Sequence, residues 1–182
     1  MYKFILVSFF SFLFLKTFSQ NYKPADAGSK VHFVIKNFSI NTGGDISGLK
    51  GNVVFNPSAL AKSLFDVSVD VNTLDTDNGS RDAHLKSDDY FDAAKYPVIT
   101  IRSAKIDRTN RTSAGYYFFT GTLTLHGITK EISFPFKAKQ QGNDYLFTGN
   151  FEINRVDYGV GDNSSVMSKT VKISLSVLAK KS

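Results

Sequence analysis

From residue 29 to the C-terminus, apolar side chains recur at every second position, and this alternation restricts the fold more than any other feature of the chain. A strand turns successive side chains to opposite faces, so each stripe marks one apolar and one polar face. Val31, Phe33 and Ile35 share a parity, with Lys30, His32 and Lys36 on the other. Leu49, Gly51, Val53 and Phe55 repeat the pattern up to Asn56-Pro57, and Phe65, Val67, Val69 and Val71 follow. Ile99 and Ile101 come next, then Tyr117, Phe119, Gly121, Leu123 and Leu125. Beyond the turn at Gly127 lie Ile132, Phe134 and Phe136, then Tyr145, Phe147, Gly149, Phe151 and Ile153, and last Val171, Ile173, Leu175 and Val177. About eight strands are expected, each with one strongly apolar face.

One stretch breaks the rhythm. Between Asn78 and Pro97 the residues RDAHLKSDDYFDAAKY have no period of two, while Asp82/Lys86 and His84/Asp88 stand at helical i,i+4 spacing. Leu85, Tyr90 and Phe91 give this segment something to bury. One or two short helices are predicted here, ending before Pro97. Asn-Pro at 56, Gly-Gly at 43 and Gly-Asn at 142 mark turns elsewhere.

Antiparallel strands in quick succession form either a sandwich or a closed barrel. Closure removes exposed edges, and an eight-stranded barrel can enclose one small ligand. Aromatic rings crowd the inner stripes, and glycines 51, 121 and 149 interrupt them, either opening space or letting strands bend. A filled sandwich core would have the same composition, so periodicity alone leaves both architectures open.

The N-terminus reads as a targeting segment. Lys3 precedes an apolar run of 12 residues, Phe4 to Leu15, and small residues stand at Thr17 and Ser19. That is signal-peptide anatomy, with cleavage expected after Ser19 and a domain of 20–182. As a helix the run would rise only ~18 Å, short of the ~30 Å of a bilayer core, so no stable membrane span is expected. The location expected is periplasmic or secreted. With no cysteine, the chain has no disulfide, thiolate nucleophile or sulfur ligand, and the fold rests on its core. The net charge is +6, two fewer without Lys3 and Lys16, and the basic residues are scattered rather than gathered on one face. No nucleic-acid partner is expected from that distribution.

Four ordered blocks resemble the YceI-like family: Ser29-Lys30-Val31-His32-Phe33-Val34-Ile35-Lys36; Arg81 to Ser87 with Tyr90-Phe91-Asp92 and Lys95-Tyr96-Pro97; Gly121 to Lys130; and Phe151 to Val160. The resemblance implies an all-β, lipocalin-like antiparallel barrel of about eight strands with a short helical insertion. It also implies export and non-enzymatic binding or transport of a polyisoprenoid or other long-chain lipid. Where the family often continues its first strand with Lys-His, this chain has Lys36-Asn37, so no role of that histidine carries over. A homodimer is left open.

If the inner stripes line a ligand, the contacts come from Phe33 and Ile35, Phe55, Val67 and Val69, Ile101, Phe119 and Leu123, Phe134 and Phe136, and Phe147 and Phe151. Arg155 continues that last parity and is the candidate for a polar head group, with a corner-locking pair to Asp157 or another carboxylate as the competing and favoured role. His32, His84 and His126 sit on separate segments without metal-ligand spacing, so no metal and no cofactor are expected. Asp75-Thr76-Asp77-Asn78-Gly79 places its glycine one residue early for a calcium loop, with Lys86 where a glutamate would stand; an acidic turn is expected instead. No nucleophile elbow exists, because Gly44-Asp45-Ile46-Ser47-Gly48 has the wrong spacing. No catalytic residue is assigned. The rival readings are a secreted enzyme with Arg81, Asp82 and His84 at its mouth, and a ligand-free structural sandwich.

Overall fold

The computed structural model describes residues 20–108 and 114–182; the expected leader, 1–19, lies outside them. The strands are β1 (Asn21–Asn37), β2 (Ile40–Ile46), β3 (Lys50–Val54), β4 (Leu64–Asp70), β5 (Val98–Arg108), β6 (Tyr116–Leu125), β7 (Ile128–Gln141), β8 (Asp144–Asn154) and β9 (Met167–Lys181). Every pairing is antiparallel, and β1 pairs with β9 to close the sheet on itself. Nine segments make eight positions around the barrel, because β2 and β3 lie end to end beside β1. The break between them, Ser47-Gly48-Leu49, explains why a period-two pattern cannot separate eight strands from nine.

That break also shapes the interior. β3 runs alongside β4 from Lys50/Ser68 to Val54/Leu64, whereas the one backbone bridge at the outer edge of β2 among the described residues is to Asp75, through two hydrogen bonds with Asp45 of 2.8 and 3.0 Å. β2 therefore leaves β4, and the segment 71–97 covers the gap. Its one α-helix, α1 (Gly79–Lys86), starts where the Asn78 side chain accepts a hydrogen bond from Arg81 N. The segment continues as turns rather than a second helix. The i,i+4 pair expected at Asp82/Lys86 does not form, since Asp82 Oδ1 accepts from the amide and hydroxyl of Thr76. The acidic run at 75–79 is the capping turn of α1, with Asp75 Oδ1 accepting from Asp77 N.

The interior glycines divide between the two roles open to them. At Gly121 a Cβ would lie 2.1 Å from Arg102 O, beside the β5 bulge between Ser103 and Lys105, so the residue lets two backbones approach where β5 bends. At Gly149 a Cβ would meet the Phe134 ring at 3.2 Å, so here the missing side chain makes room for an aromatic.

The barrel has a filled end and a hollow end. The filled end lies near the β3–β4 and β7–β8 loops and is packed with rings. Phe55, wholly buried, meets Phe65, Tyr117, Tyr145 and Phe147 at centroid distances of 5.2 to 6.0 Å. Edge-on contacts of this kind add to the stabilisation from area alone. Towards the hollow end, Phe119, Phe134 and Phe151 stack at 4.9 and 4.6 Å, and Phe151 is the last ring before open space.

Candidate functional site

A cavity of about 320 Å³ occupies the hollow end. Seven of the nine described strands, all but β3 and β7, contribute, mostly through the parity that the alternation marks: Phe33 and Ile35 from β1, Ile46 from β2, Val67 and Val69 from β4, Ile99 and Ile101 from β5, Leu123 and Leu125 from β6, Phe151 and Ile153 from β8, and Val171 to Val177 from β9. The 71–97 segment supplies Leu85, Tyr90 and Phe91 as the wall over the β2–β4 gap. On the opposite parity, Lys30 and His32 engage Asp45 across β1 and β2 at 3.1 and 2.5 Å, and His32 also reaches the cavity edge. Burial alone raises the Asp45 carboxyl, but the hydrogen bonds from His32 and Lys30 outweigh it and hold the group below its ordinary value of 3.8.

Of the residues singled out by alternation, Phe33, Ile35, Val67, Val69, Ile101, Leu123, Phe151 and Arg155 border this cavity. Phe119, Phe134, Phe136 and Phe147 instead surround a second void of about 50 Å³ within the packed end. Phe55 lies beneath both, in the aromatic cluster. All share the inward parity. What divides them is height along the barrel axis, which a period of two does not encode. The apolar character of Leu85, Tyr90 and Phe91 predicts burial but not a place at a site, because a segment without a regular period does not show what it covers.

Arg155 is 3% exposed and stands at the head of a 3-10 turn (Arg155–Tyr158) just past β8. The carboxylate pair expected for it does not form. Its guanidinium donates to three backbone carbonyls, Ser168 O at 3.0 Å, Val160 O at 2.7 Å and Asp162 O at 2.8 Å, while Asp157 accepts from Asn154 Nδ2. The rigid fork thus ties the 155–168 loop across the cavity wall, a corner lock built on carbonyl dipoles instead of a counter-charge. Tyr158, buried in the same loop and near Asp157, has its phenol pushed above 10.0 by burial first and that carboxylate second.

The three histidines go to three different partners. His32 meets Asp45, and His84 lies edge-on to Tyr90 with centroids 4.9 Å apart. His126, with φ of 51° in the β6–β7 turn, packs against Tyr96 and brings its Nδ1 to 3.2 Å from Tyr158 O. Among the described residues no group of three His, Asp or Glu side chains gathers as a metal site. Arg81 donates to Thr76 O and Thr76 Oγ1, and Asp82 accepts from Thr76, so these two meet on one threonine. Arg81 and His84 touch the cavity edge and Asp82 does not. No described helix is long and apolar enough to cross a membrane.

The fold and sequence both have relatives. BcnA of Burkholderia cenocepacia superposes with a TM-score of 0.79 at 27% identity, over 86% of this chain and 99% of that one. A polyisoprenoid binding domain from Saccharophagus degradans superposes with a TM-score of 0.69 at 16% identity, over 88% and 98%, which speaks to the fold. A UPF0312 protein of Pseudomonas paraeruginosa is 30% identical over 140 residues, 74% of this chain and 71% of its own length. One from Vibrio parahaemolyticus is 37% identical over 102 residues, 56% of this chain, so the match spans only about half (52%) of that relative. The YceI-like domain pattern matches residues 22–179, from the start of β1 to near the end of β9, and the chain belongs to the YceI-like family.

Proposed function

We propose that this protein binds a long apolar lipid of isoprenoid type in the hollow end of its barrel and carries it chemically unchanged. The cavity is the observation that supports this best: about 320 Å³ of space with a hydrocarbon wall contributed by every strand position around the barrel except β7. Each methylene moved from water into such a wall is worth ~0.8 kcal/mol. Eight or ten of them would supply ~6–8 kcal/mol before the costs of binding. No polar recognition is required for that share, which suits a cavity whose two arginines are already engaged, Arg155 with backbone carbonyls and Arg81 with Thr76. The Saccharophagus domain that shares the fold is described as polyisoprenoid binding, in keeping with this ligand class.

In this reading Phe33, Ile35, Val67, Val69, Ile101, Leu123 and Phe151 contact the chain of the lipid, with Arg155 at the edge of the site. Phe55, Phe119, Phe134, Phe136 and Phe147 form the floor. A catalytic role for Arg81, Asp82 and His84 finds less support, because Thr76 takes up the hydrogen bonds of the first two. The expected leader belongs to the same reading: cleavage after Ser19 would release the barrel outside the cytoplasm, periplasmic or secreted. Organic extraction of protein purified from its own cells, followed by mass spectrometry, tests the proposal. A long-chain lipid in near-stoichiometric amount is expected. Protein that emerges empty, and that takes up no added polyprenyl chain, would refute it.

A further inference from the structure

The outer surface at the hollow end is more apolar than a solvated rim needs to be. Seven large hydrophobic residues are exposed among the described residues, and five of them, Phe38, Ile40, Val98, Ile128 and Val166, lie at this end. Three form one patch. Phe38 is 70% exposed, Ile40 69% and Val166 41%, and Phe38 N donates to Val166 O at 2.9 Å, joining the β1–β2 turn to the 164–166 segment. The patch borders the cavity, because Asn37 pairs with both Ile40 and Met167, and Asn37, Thr42 and Met167 line the cavity.

The turn itself is built against its own stability. Phe38 and Ser39 have φ of 47° and 64°, the left-handed pair of a two-residue hairpin turn that favours Asn-Gly. A bulky residue there is strained, and this one gains no burial in return. Strain held in an exposed aromatic points to a contact outside the chain.

Charge narrows the choice of contact. Residues 34–41 and 163–172 include Lys36, Lys169 and Lys172 and no carboxylate. Lys172 reaches Glu152 at 3.7 Å, while Lys36 and Lys169 form no ion pair among the described residues. Beyond β2, whose edge Asp75 joins, residues 70–92 hold seven aspartates against Arg81 and Lys86. An anionic surface would attract the patch and repel the insert, so the barrel would approach it tilted, β1–β2 turn first.

We propose that Phe38, Ile40 and Val166, flanked by Lys36 and Lys169, are a docking wedge for an anionic lipid bilayer that sets the cavity rim against the membrane. Apolar side chains at the tip enter the headgroup boundary while lysines pair with phosphates, the two contributions that bind peripheral proteins. The inference rests on the lipid-binding reading for its purpose, though its test does not.

The test is flotation with vesicles of equal parts phosphatidylglycerol and phosphatidylcholine, beside vesicles of phosphatidylcholine alone. The barrel 20–182 is used, since it contains all the described strands and the β1–β9 closure. Wild type should float with the mixed vesicles. Phe38→Asn with Ile40→Thr should lower partitioning at least about tenfold, and Asn should leave the turn intact or stabilise it. Lys36→Glu with Lys169→Glu should weaken binding to the mixed vesicles by roughly fivefold or more per lysine, with little effect on phosphatidylcholine. Leu64→Thr, at the filled end, should change nothing. Wild type that remains unfloated with the mixed vesicles, or a Phe38/Ile40 variant that floats as well as wild type, overturns the proposal. So does a wild-type dimer that this variant disperses with no effect on vesicle binding, which would assign the patch to a second copy. Barrels that float normally but yield no extractable lipid and take up no added polyprenyl chain would refute the cavity reading and leave the wedge standing; lipid-loaded barrels that do not float would do the reverse.

Discussion

Ile173 offers a clean way to perturb the cavity without perturbing the fold. It sits mid-strand in β9, in register with Phe33 on one side and Phe151 on the other, and its side chain faces the cavity. Ser174, its neighbour, has the opposite parity and is exposed. Replacing Ile173 with Trp puts an indole into open space rather than into packed rings, so the overpacking cost of ~1–3 kcal/mol expected in a filled core should be small here. The indole would displace roughly two methylenes of a bound chain, each worth ~0.8 kcal/mol. The sum, ~1.6 kcal/mol, is a loss of about 15-fold in affinity for a chain that fills the cavity. A chain two carbons shorter should lose much less, so preference should move to shorter lipids. The assay is competition between polyprenyl or alkyl chains of graded length, read by mass spectrometry of the retained lipid, with thermal melting alongside. Ser174→Trp is the control and should retain wild-type preference. Equal retention and equal length preference in the two folded variants would show that β9 does not line the binding site.

Three further outcomes follow from the packing and electrostatics. Phe55→Ala removes the ring at the centre of four aromatic contacts and should cost ~3–5 kcal/mol in chemical denaturation, while length preference in the lipid assay stays unchanged. Arg155→Met keeps the bulk but strands three carbonyls at the 155–168 corner; a loss of ~3 kcal/mol is expected, and a variant as stable as wild type would refute the corner-lock role. The Asp45 carboxyl lies below 3.8 in the fold, so its pairing with His32 and Lys30 stabilises the β1–β2 hairpin above that value and is lost as pH falls through the lower folded one. Acid titration should therefore show an added destabilisation below about pH 4 that Asp45→Asn removes.

Much of this architecture can be read from residue order. A strand has two faces, and a half-buried antiparallel sheet writes that geometry as a period of two. The alternation therefore predicted where the strands run and which side chains face inward, with Phe33, Val67, Leu123 and Phe151 as examples. The loss of period after Asn78 marked the helical insert for the same reason. Closure, and the division of the interior, are different in kind. Whether the last strand meets the first depends on twist and stagger summed around the sheet, which no local pattern holds. Phe119 and Phe151 are alike in type and parity, yet one packs in the floor and the other borders open space, because their heights differ along an axis that exists only in the closed barrel. Arg155 was legible as an inward guanidinium, but its partners on the 160–168 loop were not, since a carbonyl acceptor carries no side-chain signature. Which face of each strand is dry follows from local alternation; where that dry interior is filled and where it is hollow follows only from closing the sheet into a barrel.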